Sequence, residues 1–489
     1  MRRVRSRSED KKQTGQTGAL QRQWSRRSST LSSAGRTVGG LVVVAVSLCV
    51  VAVGLEAQKA PAGGAGEKEG EDLFEITVSA KGRSPYRIAV PLAYGKDTAL
   101  GRMVHGIVVN NLRIATAFKV LKRRTYPKLV RTEKMNLHAK DWGKIGAQGV
   151  MKFKVDSRGR QVTIEFKLWE VHKGEKPVLT ETVTTTRRLL RLAVHTWCNK
   201  VMKHYTGEPG AFGTWMSFVA SVGAKRKDIY VMQHDGHGLR RVSKRKSLNI
   251  LPTWSPKGDK LLFTSYVRRN PDLYIVPFSG RRKPRRVSKR RNLNSGAAWS
   301  PDGKKVAITL GKDGNSEIYL LRPYRKRRRG WRIIRRLTKH SGIDTSPTWS
   351  PDGKKIVWVS NRYGNPQLWI MNADGSRKKR LTRRGYYNQT PAWCPKKGSP
   401  LIAFTSRKSG RFSIFIYNTR TRTYRRITGR RHGNNEEPSW APNCQLLAFA
   451  STRGGIWVSN LDGTAQTQIY KGKALQPRWG PWGTLNKIK

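Results

Sequence analysis

The chain has 489 residues, enough for more than one domain, and carries 98 Lys and Arg against 30 Asp and Glu, a net charge of +68. Such a chain attracts polyanions in a salt-dependent way, but its basic residues are spread along most of the sequence, which argues against one dedicated nucleic-acid groove with interleaved exposed aromatics. Four cysteines, one of them inside an apolar leader, exclude a disulfide-framework protein.

Residues 1–57 open with an arginine-rich stretch and continue into GGLVVVAVSLCVVAVG (Gly39–Gly54) and Leu55-Glu56-Ala57. A basic start, an apolar run of about fifteen residues and a small residue at the end fit a secretory signal peptide; an uncleaved anchor is the alternative. Residues 58–71 (QKAPAGGAGEKEGE) read as a flexible linker.

Residues 72–209 alternate strand and helix patterns. FEITVS (Phe74–Ser79) and YRIAVPLAY (Tyr86–Tyr94) are strand-like, and Ala99–Ala115 has Met103, Ile107, Val108 and Leu112 at helical spacing. DWGKIGA (Asp141–Ala147) predicts a short helix with Asp141 as a possible cap. Three strands of a meander follow, then a helix over Leu189–Gly207 that Gly207 stops. His195 lies on a mostly apolar helix and reads as a packed, hydrogen-bonded core residue. The segment is a small α/β domain.

Residues 210–489 repeat. WSPDGKK stands at Trp299–Lys305 and Trp349–Lys355, with looser copies beginning at Trp254, Trp393, Trp440 and Trp479, at intervals of 39–50 residues. The unit Ser346–Thr382 contains four short strands separated by turns, in which Asp302 and Asp352 read as turn formers; repeats of this length and content predict one β-propeller blade each. The last copy supplies only a first strand (Gln476–Pro481), whereas Gly213–Ser221, Asp228–Gly236 and Leu239–Ser243 match strands two to four. One C-terminal strand therefore completes a blade with three N-terminal strands, closing a ring of six. Cys394 and Cys444 fall in successive blades, either paired or as small buried fillers.

IVVNNLRIATAFKVL, DWGKIGAQGVM, LRLAVHTWCNKVMKHYTGEPGAF and the six WSPDG-type repeats fall in the order of the TolB family, the periplasmic propeller proteins of the Tol–Pal cell-envelope system, and the chain resembles that family over nearly all of its length after the leader. Its basic charge departs from the family. The resemblance implies a non-enzymatic periplasmic adaptor, exported by its signal peptide and acting as a monomer, that supports outer-membrane integrity and constriction at cell division. It would bind a Pal-like peptidoglycan-associated lipoprotein through one propeller face and a TolA-like inner-membrane protein through an N-terminal segment, with no cofactor and no small-molecule substrate.

The residues leading into each repeat tryptophan ring one end of the channel: Asn249 and Ile250, Asn294 and Ser295, Asp344 and Thr345, Asn388 and Gln389, Asn435 and Glu436, and Leu475 and Gln476, with His340 at the start of one loop. They fit a protein ligand better than a greasy small-molecule pocket, or else cap strand ends as turn formers. Thr345 matches a position that the resemblance ties to Pal binding. The N-terminal handle would be Asp72, Leu73, Phe74, Glu75, Ile76, Thr77 and Val78, an alternating strand able to add to a partner's sheet edge, or else an ordinary first strand of the domain. An enzyme reading lacks a G-x-S-x-G elbow, and the histidines show no metal-ligand spacing. The alternative is a secreted propeller whose basic surface binds anionic envelope polymers, lipid head groups or nucleic acid.

Overall fold

The computed structural model describes residues 85–221, 226–243, 247–323, 330–429 and 433–483. The leader, the linker and residues 72–79 lie outside the described residues.

The first domain is a five-stranded sheet of order β2-β1-β3-β4-β5, built from β1 (Tyr86–Ala89), β2 (Phe118–Val120), β3 (Gly149–Arg158), β4 (Gln161–Glu170) and β5 (Leu179–Thr186). β1 runs parallel to both of its neighbours, and β3, β4 and β5 form the expected antiparallel meander. Strand alternation splits the apolar residues between two cores: Ile88 and Met151 meet helices α1 (Thr98–Ala115) and α3 (Leu190–Thr206), whereas Ala89 and Val150 meet Trp142 of α2 (Ala139–Lys144). Asp97 caps α1 by accepting from Leu100 N at 3.0 Å. Two details of the sequence reading change. Met103 is 54% exposed and Val104 takes its place in the core; Asp141 sits inside the first turn of α2, which His138 precedes as the capping position. Gly207 ends α3 at φ 76°, its N–H donating to Lys203 O at 2.9 Å.

The described residues then form six four-stranded antiparallel sheets, one per blade. The inner strands are Asn249–Trp254, Asn294–Trp299, Asp344–Trp349, Tyr387–Trp393, Asn435–Trp440 and Ala474–Trp479. The last of these pairs with Trp215–Ser221, so the chain's last described strand closes the ring as the repeats predicted. Middle strands are apolar on both sides because each blade is sandwiched between two others. In Lys355–Ser360, Ile356 and Trp358 join a cluster with the preceding blade's Ala307 and Ile318, and Val357 and Val359 join one with the following blade's Ile402 and Phe404.

The repeat residues each have a visible task. Asp302 Oδ1 accepts from Lys304 N at 3.0 Å and from Ser300 Oγ at 2.6 Å, with Gly303 at φ 69°; Asp352 does the same for Lys354 and Ser350. The tryptophans bolt blade to blade: Trp254, Trp349 and Trp440 donate Nε1–H to the carbonyls of Arg478, Ala298 and Ala392, at 2.9, 3.1 and 2.8 Å. Cys394 and Cys444 form a disulfide between adjacent blades, with Cα atoms 5.7 Å apart.

Candidate partner-binding face and the domain junction

The inner strands begin at one end of the channel, and their pairing shows which loops share that end. Asp344 opposes Ser360 in the blade that Thr345 enters, so the turn at 361–366 lies at the same end as the loop carrying His340. Each inner strand bends there. The third residue before each tryptophan (Leu251, Gly296, Ser346, Thr390, Glu437 and Gln476) has φ between 50° and 60°, and the pairing register shifts at the same point. These are β-bulges, five of them with a side chain in the left-handed region, each at a cost of roughly 1–2 kcal/mol. Six repeated bulges turn the strand ends toward the channel mouth.

The bulges separate the expected ring residues into two populations. Asn294, Asp344, Asn388 and Asn435 are fully buried and hydrogen-bonded within the blades. Asn294 Nδ2 donates to Arg290 O at 2.7 Å and its Oδ1 accepts from Arg290 N at 3.0 Å, while Asn388 Nδ2 donates to Gln367 Oε1 and Arg384 O, both at 2.7 Å. Asp344 accepts from Arg362 Nη2 at 2.8 Å, and Asn435 Nδ2 donates to Gly433 O at 3.0 Å. These four shape the loops. Ser295 is buried too, accepting from Thr264 Oγ1 at 3.2 Å.

Thr345 and Glu436 are half-buried at the mouth, and Gln389 reaches Glu436 Oε2 at 3.4 Å. His340 is exposed. Its loop is clamped from behind by Asn315, whose Nδ2 donates to the carbonyls of residues 340–342, and by Glu317, which accepts from His340 N at 2.7 Å. His340 Nδ1 accepts from Gly342 N at 2.9 Å, so Nε2 is left toward solvent. Desolvation, and then the neighbouring Glu437, push the Glu436 carboxyl up to about 8; desolvation also pushes up the buried Glu437.

Two residues of this face escaped the sequence reading. Tyr363 and Tyr386 are 71% and 67% exposed; Tyr363 stacks on Trp369 with ring centroids 5.6 Å apart, and Arg362 lies over the same indole at 4.5 Å. Exposed aromatics beside fixed polar groups are the composition of a protein-docking surface. The signal in the sequence was an aromatic inside a polar turn, Asn361–Gly364, which reads as turn punctuation until the fold shows which end of the disc it occupies.

A second cluster joins the domains. His195 from α3 and His234 from the first blade have ring centroids 5.0 Å apart, with Asp235 beside them. The sequence separation of 39 residues hid this convergence. Gly213 N–H donates to His234 Nδ1 at 3.3 Å, so His234 carries its proton on Nε2 and donates to Asn111 Oδ1 at 3.1 Å. Asn111 Nδ2 in turn donates to His195 Nδ1 at 3.0 Å, which leaves the His195 proton on Nε2, facing Asp235 Oδ2 at 3.9 Å. Asp235 also pairs with Arg191 at 3.1 Å. Both His234 nitrogens are engaged by protein, and the His195 nitrogen facing Asp235 carries a proton beside a guanidinium. The donor set suits a neutral hydrogen-bond chain and does not fit a cation. Desolvation drives His195 down to about 3 and His234 to about 4.

A six-bladed propeller behind a small α/β domain, with a loop-built polar face, is a rigid scaffold for binding. Residues 202–483 match the family model for the TolB beta propeller domain, and residues 74–176 that for the TolB amino-terminal domain. The first match alone spans more than half of the sequence, and the chain belongs to the TolB family. It is 39% identical over 196 residues to a Tol-Pal system protein TolB of Geobacter sulfurreducens and 33% identical over 179 residues to one of Desulfosudis oleivorans. Those alignments span 44% and 40% of the two relatives, less than half their length. A crystal structure of TolB from Acinetobacter baumannii shares the fold with a TM-score of 0.71 at 23% identity, over 81% of this chain and 96% of that one.

Proposed function

We propose that this protein is a non-enzymatic periplasmic adaptor of a Tol–Pal system, exported by residues 1–57. In this reading it holds a Pal-like lipoprotein at the channel mouth and a TolA-like inner-membrane protein through Asp72–Val78, and so supports envelope integrity and constriction at division. The observation that carries the reading is the pairing of both TolB domain types, in order, in one chain. The Cys394–Cys444 disulfide supports an oxidising compartment, as the periplasm is. At the mouth, Thr345, His340, Gln389 and Glu436 would meet the lipoprotein on a floor shaped by Asn294, Ser295, Asp344, Asn388 and Asn435. The test is capture of a Pal-like lipoprotein and a TolA-like inner-membrane protein, by full-length protein and by a form lacking residues 72–79. The reading expects the shortened form to keep the lipoprotein and lose the inner-membrane partner; equal capture of both by both forms would contradict it.

A second reading rests on the rim. The outermost strands of five blades carry two or three Lys or Arg each (Arg240 and Arg241; Arg285 and Arg286; Arg332, Arg335 and Arg336; Lys379 and Arg380; Arg425 and Arg426), whereas Gln466–Tyr470 of the sixth carries none. Charges on edge strands discourage sheet-to-sheet aggregation, and they also attract anionic polymers and lipid head groups. Attraction of this kind falls steeply with salt, whereas a packed face loses little.

A further inference from the structure

The channel encloses a cavity of about 250 Å³ lined by all six inner strands. The residue before each repeat tryptophan lines it. In five blades that residue is small: Thr253, Ala298, Thr348, Ala392 and Ser439. In the sixth it is Arg478, the one charged residue among the cavity-lining side chains. The ring therefore breaks its own pattern at a single place, by inserting a guanidinium where every other copy leaves space.

The surroundings of Arg478 leave its charge largely unanswered. Of its five N–H donors, one is engaged among the described residues, Nη1 to Pro477 O at 2.9 Å. Among the described residues no carboxylate forms an ion pair with it. Glu437 acts on it only through space, and its Oε2 accepts from Gln476 N–H. Arg478 is half-buried, and a guanidinium partly withdrawn from water gains charge-assisted, forked hydrogen bonds when an oxyanion meets it. A water takes about 30 Å³ of liquid, so the cavity has room for one small oxyanion with several waters. Thr253 and Ser439, on the two inner strands flanking that of Arg478, and Thr348, on the strand across the ring, also line the cavity.

We propose that the propeller channel is an oxyanion site, in which Arg478 binds a carboxylate or phosphate group in the fork of its guanidinium. Two sources supply that chemistry: a free inorganic anion, or the acidic side chain of a protein segment entering the channel.

The test is titration calorimetry on the full chain at constant ionic strength, with inorganic phosphate in one arm. In the other arm the probe is a short end-blocked peptide carrying one glutamate, compared with its glutamine twin. Arg478→Gln should weaken the saturable site at least tenfold, and Lys176→Gln, exposed on the first domain, should leave it unchanged. Arg478→Lys, which keeps the charge and loses the fork, should weaken it several-fold and stands in if the glutamine variant does not melt cooperatively. Loss confined to phosphate assigns the site to a free anion; loss confined to the glutamate peptide assigns it to a partner's side chain. Either supports the proposal. Equal binding of both probes by wild type, Arg478→Gln and Arg478→Lys overturns it.

Discussion

At the domain junction, Asn111, His195 and His234 lie out of water; at the channel mouth, Gln389, Glu436 and Glu437 are partly or wholly withdrawn from it. Burial pushes each titratable group toward its neutral form, the imidazoles down and the carboxyls up. The two regions differ in what surrounds them. At the junction, Gly213, His234, Asn111 and His195 form one run of hydrogen bonds from the first blade to helices α1 and α3, which ends at His195 Nε2, facing Asp235 Oδ2 at 3.9 Å without a hydrogen bond. At the mouth, Glu436 has one long contact with Gln389 and stands half-exposed beside Thr345. A polar cluster buried between two domains holds them together. One left open on a single side, on a face with exposed tyrosines, is the arrangement that the proposed docking role requires.

The largest effect should come from removing the ring on which the mouth depends. Deleting residues from Gln476 onward strips blade one of its inner strand, and cooperative unfolding or solubility should be lost; a truncated chain that melts like the full one would show that closure is dispensable. At the junction, Asn111→Leu leaves two buried imidazoles without their bridge and should cost about 2–4 kcal/mol in urea unfolding. It should leave lipoprotein binding at the mouth intact, and a large binding loss with little loss of stability would reverse the assignment of the two regions.

The two regions should also respond to pH with opposite slopes. His195 and His234, at about 3 and 4 when folded against 6.5 unfolded, give the unfolded state the extra protons, so their contribution is complete above 6.5 and is lost as pH falls toward 4. Glu436, at about 8 when folded against 4.5, gives the folded state the extra proton, so stability is lost as pH rises from 4.5 to 8. Glu436→Gln should reduce the second slope and leave the first unchanged, the remainder belonging to Glu437, whose carboxyl burial also pushes up. Urea midpoints between pH 4.5 and 8.5 that fall equally toward alkali in wild type and variant would disprove the role given to Glu436.

The smallest effect expected is at the bulges. Gly296→Ala has room for its methyl, the nearest atom being Thr309 Oγ1 at 3.5 Å, but must hold φ 59°, and should lose about 1 kcal/mol. No loss would mean that the bulge backbone relaxes freely and does not define the mouth.

The blades, their closure and the α/β domain were legible in the sequence because turn chemistry and apolar periodicity are local: Asp302, Gly303 and the repeat tryptophans act within a few residues or at a fixed repeat. Three things were not. Convergence of His195 with His234 needs the docking of α3 on the first blade. The pairing of Cys394 with Cys444 needs the distance between neighbouring inner strands. The division of the ring into buried asparagines and half-buried Thr345 and Glu436 needs the bulges, since alternation alone places neighbours on opposite faces without saying which meets the channel.

The central claim, that the mouth around Thr345 is a shaped docking face distinct from the basic rim, is most directly tested by titration calorimetry of the Pal-like lipoprotein at low and high salt. The account predicts that wild type binds at both salt concentrations. Thr345→Ile should weaken binding at both by ~1–3 kcal/mol without altering stability, through loss of a hydroxyl buried in the complex. Replacing Arg332, Arg335 and Arg336 with glutamine should change only the low-salt behaviour. Normal binding by Thr345→Ile, with binding at high salt abolished by the arginine replacements, would contradict it.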